Sequence, residues 1–150
     1  LSKIEKISQH QKKIYDKFYN YFQKDRYYTL RQTVDENNNI PVSICLIFKT
    51  KEQNDQFITF MNSFGIAFNQ YCTKLINSFD VFKHKRGIGP NNYPFNLTEI
   101  TYSDNECPKA IDLINRTAWF NLSASLKNKH IDFIIKKLEE FKKQNEFYSK

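Results

Sequence analysis

Apolar residues that recur every three or four positions predict the main helices of this chain. This spacing places one apolar face on each helix, with polar residues opposite. The three long segments are 2–23, 51–64 and a helix that starts at Ser125. In the first, the apolar stripe runs from Ile4 to Phe22. Gly65 is expected to end the second helix, because glycine readily adopts the left-handed conformation that stops a helix.

Shorter elements lie between the long helices. Alternating or continuous apolar runs predict strands at 27–34, 42–48, 66–71 and 118–122. The first two strands flank a polar turn and should pair as an antiparallel hairpin. Short helices are predicted over 74–82 and 108–115, and an irregular loop over 83–103. The order of elements predicts an α+β fold, a small and mainly antiparallel sheet of three or four strands with helices on one face.

Size and composition fit one small domain, residues 1–150. The chain is 40% hydrophobic and 16% aromatic, which is enough to build a core and argues against disorder. No apolar run approaches the roughly 20 residues of a membrane-spanning helix, and no signal peptide is visible. Because the first residue is Leu1 and the only methionine is Met61, we expect the chain to be a piece of a longer product.

Few residues have the spacing of an active site or a metal site. The glycines Gly87 and Gly89 lack the rest of a nucleotide-binding fingerprint. The three histidines have no partner at a metal-ligand spacing. Three unpaired cysteines do not make a disulfide framework and favour a reducing, cytoplasmic compartment. From the residues alone we predict no catalytic, cofactor-binding or metal-binding residue.

The net charge of +7 raises the possibility of an anionic partner. The densest basic stretch is Lys83-His84-Lys85-Arg86, in the predicted loop. Elsewhere the lysines alternate with acidic residues on outer helix faces, which is typical of a solvated surface. A non-enzymatic module that binds nucleic acid or an acidic partner through this loop is therefore an alternative, with nucleic acid disfavoured.

The order of the motifs resembles the C-terminal part of a known enzyme family. Residues 60–66, Phe-Met-Asn-Ser-Phe-Gly-Ile, are similar to a helix that ends in "lkekGI". Residues 107–122 are similar to a "cP.a..l..R.l.lpl" tail, and residues 1–24 to the helix that leads from the cofactor domain. This pattern resembles the DegT/DnrJ/StrS family of pyridoxal-phosphate-dependent sugar aminotransferases. The tract 93–97 is most similar to the branch that acts on keto-sugars and octulosonate-type sugars.

The resemblance implies a function for a longer enzyme. The chain would be the small C-terminal domain of a fold-type I aminotransferase that makes sugars for cell-surface polysaccharide. Pyridoxal phosphate and its Schiff-base lysine would belong to a large domain that precedes Leu1, so no lysine here is a catalytic candidate. The substrates would be an amino-acid donor such as glutamate and a keto-sugar, nucleotide-linked or octulosonate-type. The enzyme would be a homodimer, and a related sugar dehydratase, with histidine in place of that lysine, stays an alternative.

The resemblance also suggests substrate-binding residues. Tyr71 and Cys72 lie at the end of the predicted strand after Gly65 and would be nearest to the mouth of the substrate pocket. Arg116 matches the arginine of the tail motif, and its guanidinium could hold a carboxylate or a sugar phosphate. The alternative for Arg116 is a structural role that ties a short helix to the domain.

Overall fold

A computed structural model describes residues 2–25, 27–32, 35, 41–103 and 106–145. Its helices are α1 (Ser2–Phe22), α2 (Lys51–Ser63), α3 (Asp80–Lys83), α4 (Pro108–Asn115) and α5 (Asn128–Asn145). Its strands are β1 (Tyr28–Leu30), β2 (Ser43–Phe48), β3 (Phe68–Gln70) and β4 (Thr117–Asn121). Two short 3₁₀ turns cover Ile76–Ser78 and Phe95–Leu97. None of the helices in these ranges is both long and apolar enough to cross a membrane.

Within the described ranges the strands form one four-stranded sheet in the order β1-β2-β4-β3. All three pairings are antiparallel, and the first is the predicted hairpin. Ile44 of β2 and Phe68 of β3 both lie opposite Phe120 of β4, so the apolar residues of neighbouring strands lie side by side. The α+β prediction is confirmed. Thr33 and Val34, at the end of the first predicted strand, lie outside the described residues.

The core lies between one face of the sheet and helices α1, α2 and α5. Alternate residues of β2 point into it, because successive side chains of a strand point to opposite faces. Ile44, Leu46 and Phe48 are all at most 2% exposed. The helices contribute further buried residues, with Phe57 of α2 among the aromatic rings at the centre. These three helices cover one face of the sheet with their apolar sides, as the apolar periodicity predicted.

Helix α1 is held along α5 by polar contacts as well as apolar packing. Tyr21 donates a hydrogen bond to Glu139 at 2.5 Å, and Lys142 donates to both Glu139 and Asp25 at 2.8 Å. Hydrogen bonds from Lys142 and Tyr21 lower the pKa of Glu139. Burial lowers the pKa of Lys142, but its hydrogen bonds to the two carboxylates outweigh this effect and leave that pKa raised. The cluster therefore favours the charged forms of Glu139 and Lys142.

Strands β1 and β3 are shorter than the predicted 27–34 and 66–71, and two helical segments also differ from the predictions. The segment 74–82 is not one helix, because Phe79 is extended and separates the 3₁₀ turn Ile76–Ser78 from α3. Ile76 is 69% exposed, so little buried area is available to stabilise a continuous helix there. Helix α5 begins at Asn128 rather than at Ser125, because the backbone of Ser125 donates to the Ser123 hydroxyl in a tight turn.

Candidate functional site on the open face of the sheet

The second face of the sheet carries the side chains that alternate with the core residues. The register places Cys45 opposite Trp119, and Trp119 opposite Asn69. A parallel row joins Ile47 to Thr117, whose carbonyl accepts a hydrogen bond from the Tyr71 amide at 3.0 Å. A cleft on this second face has no lining residue from α1, α2 or α5. We call this second face of the sheet the open face.

Helix α4 borders the open face and forms one wall of a cleft of about 220 Å³. We call this space the open-face cleft; its lining residues are Arg31, Cys45, Ile47, Tyr71, Ala110, Leu113, Ile114 and Thr117. Its walls are mainly apolar, and Arg31 is the single charged residue among the described ones that line it. Such a cleft can accept an uncharged or weakly polar group, with a cation at its edge. The sequence predicted that the helices cover one face of the sheet, but α4 borders the open face, opposite to α1, α2 and α5.

Tyr71 was predicted as the last residue of a strand and lies immediately after β3, which ends at Gln70. Its side chain is 52% exposed and lines the open-face cleft. The backbone is fixed by the bond to Thr117, so the ring is carried by a rigid strand end rather than by a free loop. The phenol is therefore available to a ligand in this cleft. Its predicted role in substrate binding stays a prediction.

Cys72 is half-buried and is not among the residues that line the open-face cleft. Its thiol lies within hydrogen-bond distance of the Lys74 carbonyl, and the residue begins the segment that leads to the Ile76–Ser78 turn. Cys45 is 4% exposed and packs in the sheet, whereas Cys107 is exposed. In the described residues no group of three His, Cys, Asp or Glu side chains could hold a metal ion.

Arg116 lies at the end of the sheet and is held by groups of this chain. Its Nη1 donates to the Phe48 carbonyl at 2.6 Å, and its Nη2 and Nε donate to the Asp112 carboxylate at 2.6 and 3.0 Å. The hydrogen bonds from the guanidinium hold the pKa of Asp112 below its usual range. These contacts tie α4 to β2, which accords with the structural alternative. Arg116 does not line the open-face cleft, and no observation tests its predicted contact with substrate.

Asn54 is a positioning residue that sequence reasoning missed. Its side chain is fully buried, and its Nδ2 donates to the Asn115 carbonyl at the end of α4 at 2.9 Å. Gln70 of β3 donates to the Asn115 side-chain oxygen at 3.3 Å. Asn115 is thus held from two sides, which fixes the end of α4 beside the open-face cleft. The sequence did contain a signal for this role, because residues 54, 57 and 61 share one face of α2. An asparagine on an apolar helix face is buried and needs a hydrogen-bond partner.

Comparison with known proteins gives one kind of similarity, that of the fold. No protein-family model matches the sequence, and no curated protein matches it. A solved structure of ColD, a double variant with a histidine replaced by lysine and a serine replaced by asparagine, superposes with a TM-score of 0.65 at 19% sequence identity. The match covers 92% of this chain and 33% of the ColD chain, so the chain spans about a third of ColD. The chain therefore has the fold of one part of ColD.

Proposed function

We propose that this chain is the C-terminal small domain of a pyridoxal-phosphate-dependent enzyme that transfers an amino group from an amino acid, such as glutamate, to a keto-sugar. The observation that carries the proposal is the fold match, which covers 92% of this chain and only a third of ColD. The resemblance of residues 60–66 and 107–122 to the sugar aminotransferases supports the same assignment from the sequence.

The surface of the chain supports a role as a domain that packs on a larger one. Tyr71 and Leu113, which line the open-face cleft, are 52% and 45% exposed, and Phe79 and Val81, nearby in sequence, are 47% and 42% exposed. Large apolar side chains that are concentrated at one part of a surface mark an interaction site. In the proposed enzyme, the large domain covers this region and the open-face cleft becomes part of the substrate side of the pocket.

The chain's own residues would shape the pocket rather than carry out the chemistry. Pyridoxal phosphate would supply the electron sink for amino transfer. No lysine is among the described residues that line the open-face cleft, so this cleft offers no amine to the cofactor. Cofactor binding would lie in the preceding domain, as the resemblance implies. Tyr71 would contact the sugar, Cys72 would lie beside it, and Arg116 would fix α4 at the edge of the pocket.

A sugar dehydratase of the same family is the second candidate. In that branch a histidine takes the place of the Schiff-base lysine. The ColD variant with the matching fold has a histidine replaced by a lysine, the same pair of residues. The two candidates share the small domain and differ in the large one, so the residue at the cofactor aldehyde decides between them.

The test of the proposed site uses the full-length enzyme. Tyr71→Ala should raise KM for the keto-sugar several-fold with a smaller change in kcat, because a binding contact is lost while the cofactor site is intact. Tyr71→Phe removes the hydroxyl and keeps the ring, so it separates the contributions of these two groups to KM. Phe133→Ala is the matched control, since Phe133 is 44% exposed and lies on α5. Kinetics of Tyr71→Ala that equal those of the control would remove Tyr71 from the site.

A further inference from the structure

A cleft of about 540 Å³ lies at the end of the sheet where β3 begins, between the loop that follows α2 and the start of α5. Its volume is within the range of roughly 300–1,000 Å³ that is typical of small-molecule sites. Its floor is made by Ile66, Phe120 and Ile134, which are each at most 9% exposed. Phe64 and Leu126 lie at its sides. We call this space the α5 cleft.

The two apolar sides of the α5 cleft are held in place by neighbouring elements. The Phe64 ring packs edge to face on Phe60 of α2 with 5.1 Å between the ring centroids, and the Lys137 ammonium of α5 lies 3.9 Å from the Phe64 ring centroid. On the other side, His10 of α1 donates a hydrogen bond to the Leu126 carbonyl at 3.0 Å. Both sides are therefore fixed before a ligand arrives, so binding would require little ordering of the chain.

The polar residues at the edge of the α5 cleft can donate hydrogen bonds to an anion. Lys129 supplies an exposed ammonium, and His130 supplies a ring nitrogen. The Lys127 amide donates to Nδ1 of His130 at 3.2 Å, so the ring proton is on Nε2, which is a donor. No carboxylate is among the described residues that line this cleft. Two donors beside an apolar floor match the two oxygens of a carboxylate that is attached to an apolar body.

The α5 cleft thus combines a basic edge with an apolar floor. We propose that it binds a medium-chain fatty acid, whose carboxylate accepts hydrogen bonds from Lys129 and His130 and whose hydrocarbon chain lies against Phe64 and Phe120. The charge at the edge selects the carboxylate end, and the apolar floor selects the chain. Among the described residues, none lines both this cleft and the open-face cleft. The α5 cleft is a second site, separate from the one proposed for the sugar.

The experiment is a titration of the isotope-labelled 150-residue chain, followed by backbone amide NMR. The probes are octanoate, hexanoate, octan-1-ol and octylammonium, at one pH and ionic strength and below the concentrations at which they form micelles. Octanoate should cause saturable shifts in residues 64–67 and 120–130. Hexanoate should bind about tenfold more weakly, because it buries two fewer methylenes. Octan-1-ol and octylammonium should also bind more weakly than octanoate, because neither carries the negative charge.

Matched variants separate the carboxylate contact from the apolar one. Lys129→Gln should weaken octanoate binding about fivefold and leave octan-1-ol binding unchanged, because one charge-assisted hydrogen bond is lost. Lys143→Gln is the control, since it removes an exposed lysine from the far end of α5 and should change the affinity less than twofold. Ala67→Phe fills the cleft from an exposed position and should weaken the binding of every probe, and it serves if Lys129→Gln proves misfolded.

Several results would overturn the proposal. They are the absence of saturable shifts with octanoate, equal affinities for octanoate and hexanoate, octylammonium that binds as tightly as octanoate, and equal losses in Lys129→Gln and Lys143→Gln. The tetrapeptide Ala-Ala-Leu-Leu, with a free carboxyl terminus, is a further probe, and tighter binding of this peptide than of octanoate would favour a protein terminus as the ligand. None of these outcomes depends on amino transfer, so they leave the proposed function to its own test.

Discussion

Phe57→Ala tests the location of the core most severely. Phe57 is 0% exposed, and its ring centroid lies 4.9 Å from that of Phe48, 4.8 Å from that of Phe68 and 5.3 Å from that of Phe141. These three rings come from β2, β3 and α5. Truncation of Phe57 therefore opens a cavity between α2, the sheet and α5.

The expected loss follows from the size of this cavity. Buried Phe→Ala substitutions cost about 3–5 kcal/mol, which is a large fraction of the roughly 5–15 kcal/mol by which domains are stable. For a domain of this length each kcal/mol lowers Tm by about 2–4 °C, so Phe57→Ala should lower Tm by roughly 10 °C.

The assays are thermal unfolding and urea unfolding, each followed by far-UV circular dichroism. Phe57→Leu should regain more than half of the loss, since it fills most of the cavity. Phe133→Ala removes the same side chain from a position that is 44% exposed on α5, and it should cost less than about 1 kcal/mol. If Phe57→Ala and Phe133→Ala unfold at the same urea concentration, the core does not lie where the packing of α2 places it.

Three further outcomes are expected. Arg116→Ala should lower Tm by several degrees, because the Phe48 carbonyl loses the donor that ties α4 to β2; an unchanged Tm in a thermal melt would contradict the structural role. The hydrogen bond from Lys142 lowers the pKa of Glu139 in the folded chain, so the charged carboxylate stabilises the fold. This stabilisation is complete above the ordinary glutamate pKa of about 4.3, and it is lost as the pH falls through the lower pKa of the folded chain. Urea unfolding between pH 5 and pH 3, as an approximate window, should show a steeper loss for the wild type than for Glu139→Gln, and equal slopes would refute the assignment. The Cys45 thiol is 4% exposed and should react with a thiol reagent only in urea; fast reaction of Cys45 in the native chain, located by peptide mass analysis, would show that the sheet is not closed around it.

The long helices and the strands could be predicted because their signals are local. Thr50 caps α2 by accepting a hydrogen bond from the Gln53 amide, and Gly65 ends that helix region with a positive φ of 72°. Both residues lie just outside the ends of the apolar pattern of α2, so the periodicity and the capping signals predict the same helix. The alternation of Tyr28 and Thr29 likewise gave the correct buried and exposed sides of β1.

The remainder depends on contacts between residues that are distant in sequence. Ile4 and Ile7 belong to the apolar stripe of α1 but are 59% and 46% exposed, since no other described element covers the first turns of that helix. The apolar residues of 74–82 have helical spacing, yet too little of the core lies beneath them to hold a helix. Nothing in the sequence places Arg116 against the Phe48 carbonyl or brings α4 to the open face. These features arise only when the sheet is assembled.

The most direct test of the proposed function is to express the complete coding sequence that contains this chain and to ask where it binds pyridoxal phosphate. We expect borohydride to attach the cofactor to a lysine that precedes residue 1, and glutamate to transfer its amino group to a keto-sugar. A histidine at that position, with loss of a sugar hydroxyl, would favour the dehydratase instead. A complete product that binds no pyridoxal phosphate would contradict the assignment of this chain as the small domain of such an enzyme.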